Sequence, residues 1–266
     1  MKKNLIFILF MAASLLCCTN SLQKENHMND ELLGLWSPFA GFAFKAYMKD
    51  GIEGPIFNQI GRYSRAATSF CRFSAQSPNY LERKVAASLA GYISNPDADL
   101  LTDLLNLETE RDHSIPQDES QRLDCQSVVE DIVFSAARWY KCNRNKDQAL
   151  DVLRRVAQDS IDGQYWNTSS YAMIYLCLYA PEESEGLLKR FDRYSKGAPP
   201  KHPSRPHFRQ EQDCAQKLLN GDKKILDAYS RFISNPQNEN GRPELSLEER
   251  QIVNRLLSAL ESSTQQ

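Results

Sequence analysis

The side chains of this chain that could do chemistry are few and widely spaced. Its metal-ligating and nucleophilic groups are His27, His113, His202 and His207 and seven cysteines. No Cys-x-x-Cys occurs, and no histidine stands at zinc spacing from a cysteine, so no metal site is expected. There is no Gly-x-Ser-x-Gly elbow, no His-Glu-x-x-His, no phosphate-binding Gly-x-x-x-x-Gly-Lys and no dinucleotide fingerprint, which leaves no cofactor to expect. Ser21 and Lys24 have Ser-x-x-Lys spacing but lie in a polar stretch where nothing would hold a nucleophile against its base. Glu130 and Asp131 are adjacent and diverge on a helix, unlike two carboxylates facing one substrate. Asp97 and Asp99 lack the further oxygen ligands and the glycine of a calcium loop. The expectation is a protein without catalytic residues. Its rival is an all-α hydrolase or lyase whose carboxylates, or His202 and His207, meet only in three dimensions.

Charge is the second chemical signal. The 32 basic and 34 acidic residues give a net charge of -2, which argues against a nucleic-acid binder. The distribution is uneven. Asp97 to Asp131 holds eleven acidic residues against Arg111 and Arg122 alone. The middle of that stretch, Glu108 to Asp124, contains Pro116 and reads as a long acidic loop between two helices. Glu108, Glu110, Asp112, Asp118 and Glu119 are then candidates for steering a basic protein partner, a solvated insertion being the plainer reading. Residues 196–209 have the opposite sign: Lys196, Lys201, Arg205 and Arg209 stand among four prolines with no acid. Proline keeps such a segment extended. It reads as a stiff linker, or as a contact for an acidic partner or an anionic headgroup.

The elements that must position these groups are helical. From residue 80 onward apolar residues recur every three or four positions, the helix period. Tyr80 to Ile93 carries Leu81, Val85, Leu89, Tyr92 and Ile93 on one stripe and stops at Asn95-Pro96. A second helix opens at Pro96 or Asp97 and runs through Leu100, Leu101, Leu104, Leu105 and Leu107. The arrangement recurs as Gln126 to Tyr140 with Lys146 to Ser160 across a Cys-Asn-Arg-Asn turn, and as Ser169 to Tyr179 with Glu182 to Tyr194 across Ala180-Pro181. Phe208 to Leu219, Lys223 to Ile233 and Leu247 to Leu260 continue the pattern, the last as a cap on the stack. The four residues Ile93 to Pro96 reappear as Ile233 to Pro236. Cys71, Cys125, Cys142, Cys177 and Cys214 are odd in number and irregular in spacing, which predicts buried free thiols rather than a disulfide framework.

The fold class is therefore all-α, built as stacked antiparallel helical hairpins, with a globular helical bundle as the alternative. Glu82 to Gly91 followed by Asn95 to Leu105 resembles a HEAT-repeat junction: a Val-x-x-Ala-x-x-x-Leu helix, an Asp-Pro-like turn and a leucine-rich helix. The resemblance spans residues 80–195, and HEAT periods of about 40–47 residues fit the spacing of Tyr92, Tyr140 and Tyr179. It implies a HEAT-like α-solenoid with an extended protein-binding surface and names no ligand.

The N-terminus adds an address. Lys2 and Lys3 precede an apolar run, Leu5 to Leu16, too short for the about 20 residues of a membrane span. With Leu15, Leu16, Cys17 and Cys18 in sequence it resembles the lipobox of bacterial lipoproteins. That implies a signal peptide at 1–18 and an anchor on Cys18, with Cys17 as the alternative. Residues 19–30 then read as a flexible tether, 31–79 as an apolar N-terminal cap, 80–195 as the repeats, 196–209 as the basic loop and 210–266 as C-terminal helices. In residues 31–79 the crowded Leu32, Leu33, Leu35, Trp36, Phe39, Phe42, Phe44 and Tyr47 serve either to cap the stack or as a partner- or membrane-facing patch. The functional expectation is a lipid-anchored, non-enzymatic scaffold of the bacterial envelope that binds another protein. An immunity or inhibitor protein covering a basic toxin is its narrower form, and a structural envelope lipoprotein its bland one.

Overall fold

The computed structural model describes residues 31–40, 53–114, 119–159, 166–197, 216–234 and 246–264. The signal, the tether, Phe42, Phe44, Tyr47, Cys214 and most of the basic loop lie outside them. Among the described residues there is no strand, and the chain is all-α. Residues 31–40 form α1. There follow α2 (Glu53–Ile60), α3 (Ser64–Ala75), α4 (Tyr80–Ala90), α5 (Leu100–Ser114), α6 (Glu119–Lys141), α7 (Lys146–Asp159), α8 (Trp166–Tyr179), α9 (Pro181–Gly197), α10 (Lys223–Ser234) and α11 (Leu247–Thr264).

Neighbours in sequence pack as hairpins: α3 with α4, α5 with α6, α7 with α8, and α8 with α9. Alternate helices also touch. The helices α4, α6 and α8 contact one another in succession, and so do α3, α5 and α7. These six helices thus form two layers with one continuous apolar core, which includes Leu89, Leu104, Val133, Trp139, Leu153 and Leu176.

The layer of α4, α6 and α8 is joined by side chains that reach backbone carbonyls. Ser135 donates to Ala87 O at 2.6 Å, and Trp139 Nε1 to Ala90 O at 2.8 Å. Arg144 donates to Gly91 O at 3.2 Å. The last carbonyls of a helix have no partner within it. At the end of α4, Ala87, Ala90 and Gly91 are served by α6 and the turn beyond it, while Ser88 and Leu89 accept the N–H groups of Gly91 and Tyr92. That turn lies at the expected Cys-Asn-Arg-Asn sequence, where Asn143 and Asn145 adopt φ of 56° and 35°. Asparagine tolerates this left-handed region better than most residues.

Two expectations fail locally. The segment between α4 and α5 is longer than expected, α5 starting at Leu100 rather than at Pro96 or Asp97. Ser94 N–H donates to Gly61 O at 2.8 Å, Asn95 N–H to Ser64 Oγ at 3.0 Å, and the Asp97 carboxylate holds Arg72 at 2.9 Å. These contacts tie the segment to the start of α3 and delay the helix. The repeated Ile-Ser-Asn-Pro does not occupy equivalent places either: Ile93 follows the end of α4, whereas Ile233 and Ser234 lie inside α10. The helix α11 returns to the N-terminal end of the described stack. It packs on α2, and Glu261 hydrogen-bonds Tyr63. Val253, Leu256 and Leu260 are buried in this return to the first helices.

The N-terminal aromatic residues that are described point inward. Trp36 stacks on Phe70 with centroids 4.5 Å apart and donates from Nε1 to Ser74 Oγ at 2.6 Å. Phe39 and Phe57 continue the contact to Tyr92. Capping is thus what these side chains do. Gly61 is critical to the same end: a Cβ there would overlap the Tyr92 carbonyl oxygen and stand 2.7 Å from its carbon. Both obstacles are backbone, which cannot rotate away. Gly61→Ala is expected to cost about 1–3 kcal/mol, the range for overpacked sites, measured as a lowered denaturant midpoint.

Candidate functional site

Two features have the burial and chemistry of a site. The first is a pair of ionic clusters on α4. Arg83 and Lys84 stand in the middle of that helix, and both are buried. Arg83 Nε donates to Glu108 Oε1 of α5 at 2.8 Å, and its guanidinium also reaches Ser77 O and Pro78 O. Arg111 adds a second guanidinium at 3.0 Å from the same carboxylate oxygen. The Cys125 thiol of α6 hydrogen-bonds Glu108, and Asp112 is buried nearby in charge range of Cys125. Lys84 turns the other way, to Asp131 at 3.0 Å and to Ser127 at 2.8 Å, both on α6.

Burial dominates the titration here. It holds the Glu108 carboxyl above the ordinary value despite the two guanidiniums, and it pushes the Cys125 thiol up to about 12 with Glu108 beside it. A thiol so far from ionising is no nucleophile at neutral pH. Cys71, fully buried, is raised further and donates to Ala86 O. These cysteines match the expectation of buried free thiols. Cys142 departs from it, because it is exposed in the turn after α6, and Cys177 is half-buried.

The acidic-loop expectation is overturned. Leu, Glu and Arg favour helix strongly enough for α5 to continue to Ser114 and for α6 to open at Glu119. Glu108, Glu110 and Asp112 are therefore helical, and Asp118 lies outside the described residues. Glu110 is exposed, but Glu108 and Asp112 face inward. Part of the acidic excess is paired internally, since Asp97 and Asp103 hold Arg72, Glu108 holds Arg83 and Arg111, and Asp131 holds Lys84. Of the basic candidates, Lys196 belongs to the last turn of α9, while Lys201, Arg205 and Arg209 lie outside the described residues, as do Cys17 and Cys18.

Glu130 offers a test of the electrostatics. Burial raises its carboxyl, with Lys84 opposing and Asp131 adding to the rise. A group held above its unfolded value binds its proton more tightly when folded, so its contribution is present at acid pH and lost as pH climbs through the raised value. Glu130→Gln is therefore expected to raise stability at pH 7 and to match the parent below the ordinary carboxylate range. Denaturant midpoints at the two pH values check this.

The second feature is an aromatic face on α6 and α8. Tyr171, Tyr175 and Tyr179 recur every four residues and so line one side of α8. Phe134 lies 5.3 Å from Tyr171, and Tyr140 stacks on Tyr179 at 4.4 Å while donating to Tyr179 O. Tyr175 is fully buried, and its hydroxyl and that of Tyr179 make no hydrogen bond among the described residues. Arg138 sits over the Tyr92 ring, 4.0 Å from its centroid. On this face lies α10, with Tyr229 5.7 Å from Tyr171 and 5.8 Å from Tyr175, and Phe232 5.1 Å from Phe134. Sequence reading found the closing tyrosines but missed the four-residue stripe, which the spacing of Tyr171, Tyr175 and Tyr179 could have revealed.

An open cleft of about 580 Å³ lies between α1 and α11, lined by Glu31, Leu35, Arg255, Ser258, Ser262 and Ser263 among others. Ser262 and Ser263 donate to carbonyls of their own helix at 2.9 and 2.8 Å. Among the described residues no group of His, Cys, Asp and Glu could hold a metal ion, and no helix is long and apolar enough to cross a membrane. No known protein family, curated protein or solved structure matches the chain, so its functional reading rests on its own residues.

Proposed function

We propose that the chain is a lipid-anchored, non-enzymatic helical-repeat protein of the bacterial envelope that binds another protein, with the α6 and α8 face as its contact surface. The observation that carries the reading is the aromatic stripe Tyr171, Tyr175 and Tyr179 with Phe134, a face already occupied by a helix. Tyrosine and phenylalanine are enriched where proteins bind one another, because each brings large apolar area at little cost in conformational freedom. The succession α4, α6, α8 beside α3, α5, α7 supports the HEAT-like stack over a globular bundle, since each helix meets its equivalent in the next hairpin. The anchor rests on Lys2, Lys3, the apolar run and Cys18. The narrower immunity reading would rest on helical carboxylates such as the exposed Glu110 rather than on a loop.

The test is to express the full chain beside Cys18→Ala and Cys17→Ala in a bacterial host with a fatty-acid probe, then crosslink and identify partners by mass spectrometry. Probe incorporation lost with Cys18, and a protein crosslinked to the α6 and α8 side, is the expected result. Absent incorporation removes the anchor, and crosslinks confined to other surfaces remove the contact face.

A further inference from the structure

The helix α10 is joined to the rest of the molecule more lightly than any element it touches. Of its twelve residues only Ile233 is buried among those whose side chains are described, and Phe232 remains 47% exposed although its ring meets Phe134. Its contacts include the rings of Tyr229 and Phe232, the burial of Ile233, and a hydrogen bond from Lys141 Nζ to Ser230 O at 3.2 Å. By contrast α8 buries Ala172, Met173, Ile174, Tyr175 and Leu176 in unbroken succession. In sequence, α10 is separated from α9 by Ala198 to Asp222 and from α11 by Asn235 to Ser246; just before it Leu218 and Leu219 pack against the core, so its release would hinge on the turn Asn220 to Asp222, where Gly221 has a φ of 76°.

The seat has the form of a helix-binding groove. Helices docked in grooves use anchors at i, i+3 and i+4. In α10 these are Tyr229, Phe232 and Ile233. Lys223, Lys224 and Arg231 make the rest of the helix basic, with Asp227 its one acid.

We propose that α10 is a detachable latch that occupies the groove of α6 and α8 in place of a partner's amphipathic helix carrying the same aromatic-x-x-aromatic-aliphatic anchors. This deepens the protein-binding reading and rests on it for the existence of a partner. The latch makes docking competitive: the partner gains the groove only while α10 is released. Because the internal helix is tethered, it acts at a high effective concentration and sets a threshold below which a weak helix is refused. The ligand class is therefore an amphipathic helix, not an extended strand, a nucleic acid or a sugar.

The probe is a fluorescein-labelled peptide of residues 221–234, titrated by anisotropy into the full chain and into a full chain with Tyr229→Ala and Phe232→Ala. The released variant is expected to bind at least about tenfold more tightly than the parent. That binding should be lost when Phe134→Ala is added or when the peptide carries the same two alanines. Equal affinity for both chains, or binding that ignores Phe134, overturns the latch. Hydrogen exchange on the unmodified chain covers the case where a variant misfolds. Amides of 223–234 should exchange at least a hundredfold faster than those of α6 and α8, and exchange at the same rate overturns detachment. Light scattering decides the source of the helix. A monomer keeps the latch internal, and a dimer that exchanges α10 between copies overturns it. A latch that passes these tests while no foreign protein crosslinks to the groove leaves the latch standing and the scaffold reading fallen; a crosslinked partner with an immobile α10 does the reverse.

Discussion

Replacing Arg83 with methionine is expected to lower the stability of the chain by about 3–5 kcal/mol, a large part of what a domain normally has. The methionine would fill much of the same volume, so the loss is electrostatic. Glu108 would keep one cation, Arg111, whose side chain is 24% exposed. The carbonyls of Ser77 and Pro78, now served by the guanidinium, would lose a donor. The complementary double variant, Arg83→Met with Glu108→Leu, should recover much of the loss, because buried ion pairs replaced as a unit by apolar groups are often neutral. Urea midpoints of the parent, both single variants and the double variant read the coupling directly. If Arg83→Met changes the midpoint by less than about 1 kcal/mol, the pair is solvated like an ordinary surface bridge.

The second large effect is expected at Trp139. Truncation to alanine removes a fully buried indole and the donor to Ala90 O at the end of α4. Large-to-small substitution at aromatic core sites costs about 3–5 kcal/mol. The Ala90 carbonyl, left with only the Ile93 N–H at 3.4 Å, adds to it. Trp139→Phe separates the two contributions, since it keeps most of the volume and loses only the hydrogen bond. Calorimetry or chemical denaturation should rank the chains parent, Trp139→Phe, Trp139→Ala. A Trp139→Phe protein as unstable as Trp139→Ala would mean that the hydrogen bond, not the packing, joins α4 to α6.

Which features could be read from sequence follows from the range of the forces involved. Helix period and turn residues are local, so the Ala180-Pro181 and Cys142 to Asn145 breaks and the helices around them lie where the sequence places them. Arg83 and Lys84 show the opposite case. Two adjacent cations on a surface helix look like solubility, and only the arrival of Glu108 and Asp131 from α5 and α6 makes them interior. The acidic run from Asp97 to Asp131 was visible, but its partial pairing was not, because the partners Arg72, Arg83 and Lys84 are distant in sequence. The candidate groove was missed for a related reason: α10 and α8 are separate amphipathic patterns until they meet. The seating of α11 on α2 was equally invisible, since periodicity says which face is apolar and nothing about which neighbour receives it.

That seating has a kinetic consequence. A ribosome delivers the chain from its first residue, and α3 to α9 can pair with neighbours as they emerge. The surface of α2 and Tyr63 waits for α11, which emerges after all the other described helices. Contacts of such long sequence separation form late and slow the final step of folding. Until then the first helices expose apolar surface that invites aggregation or chaperone capture.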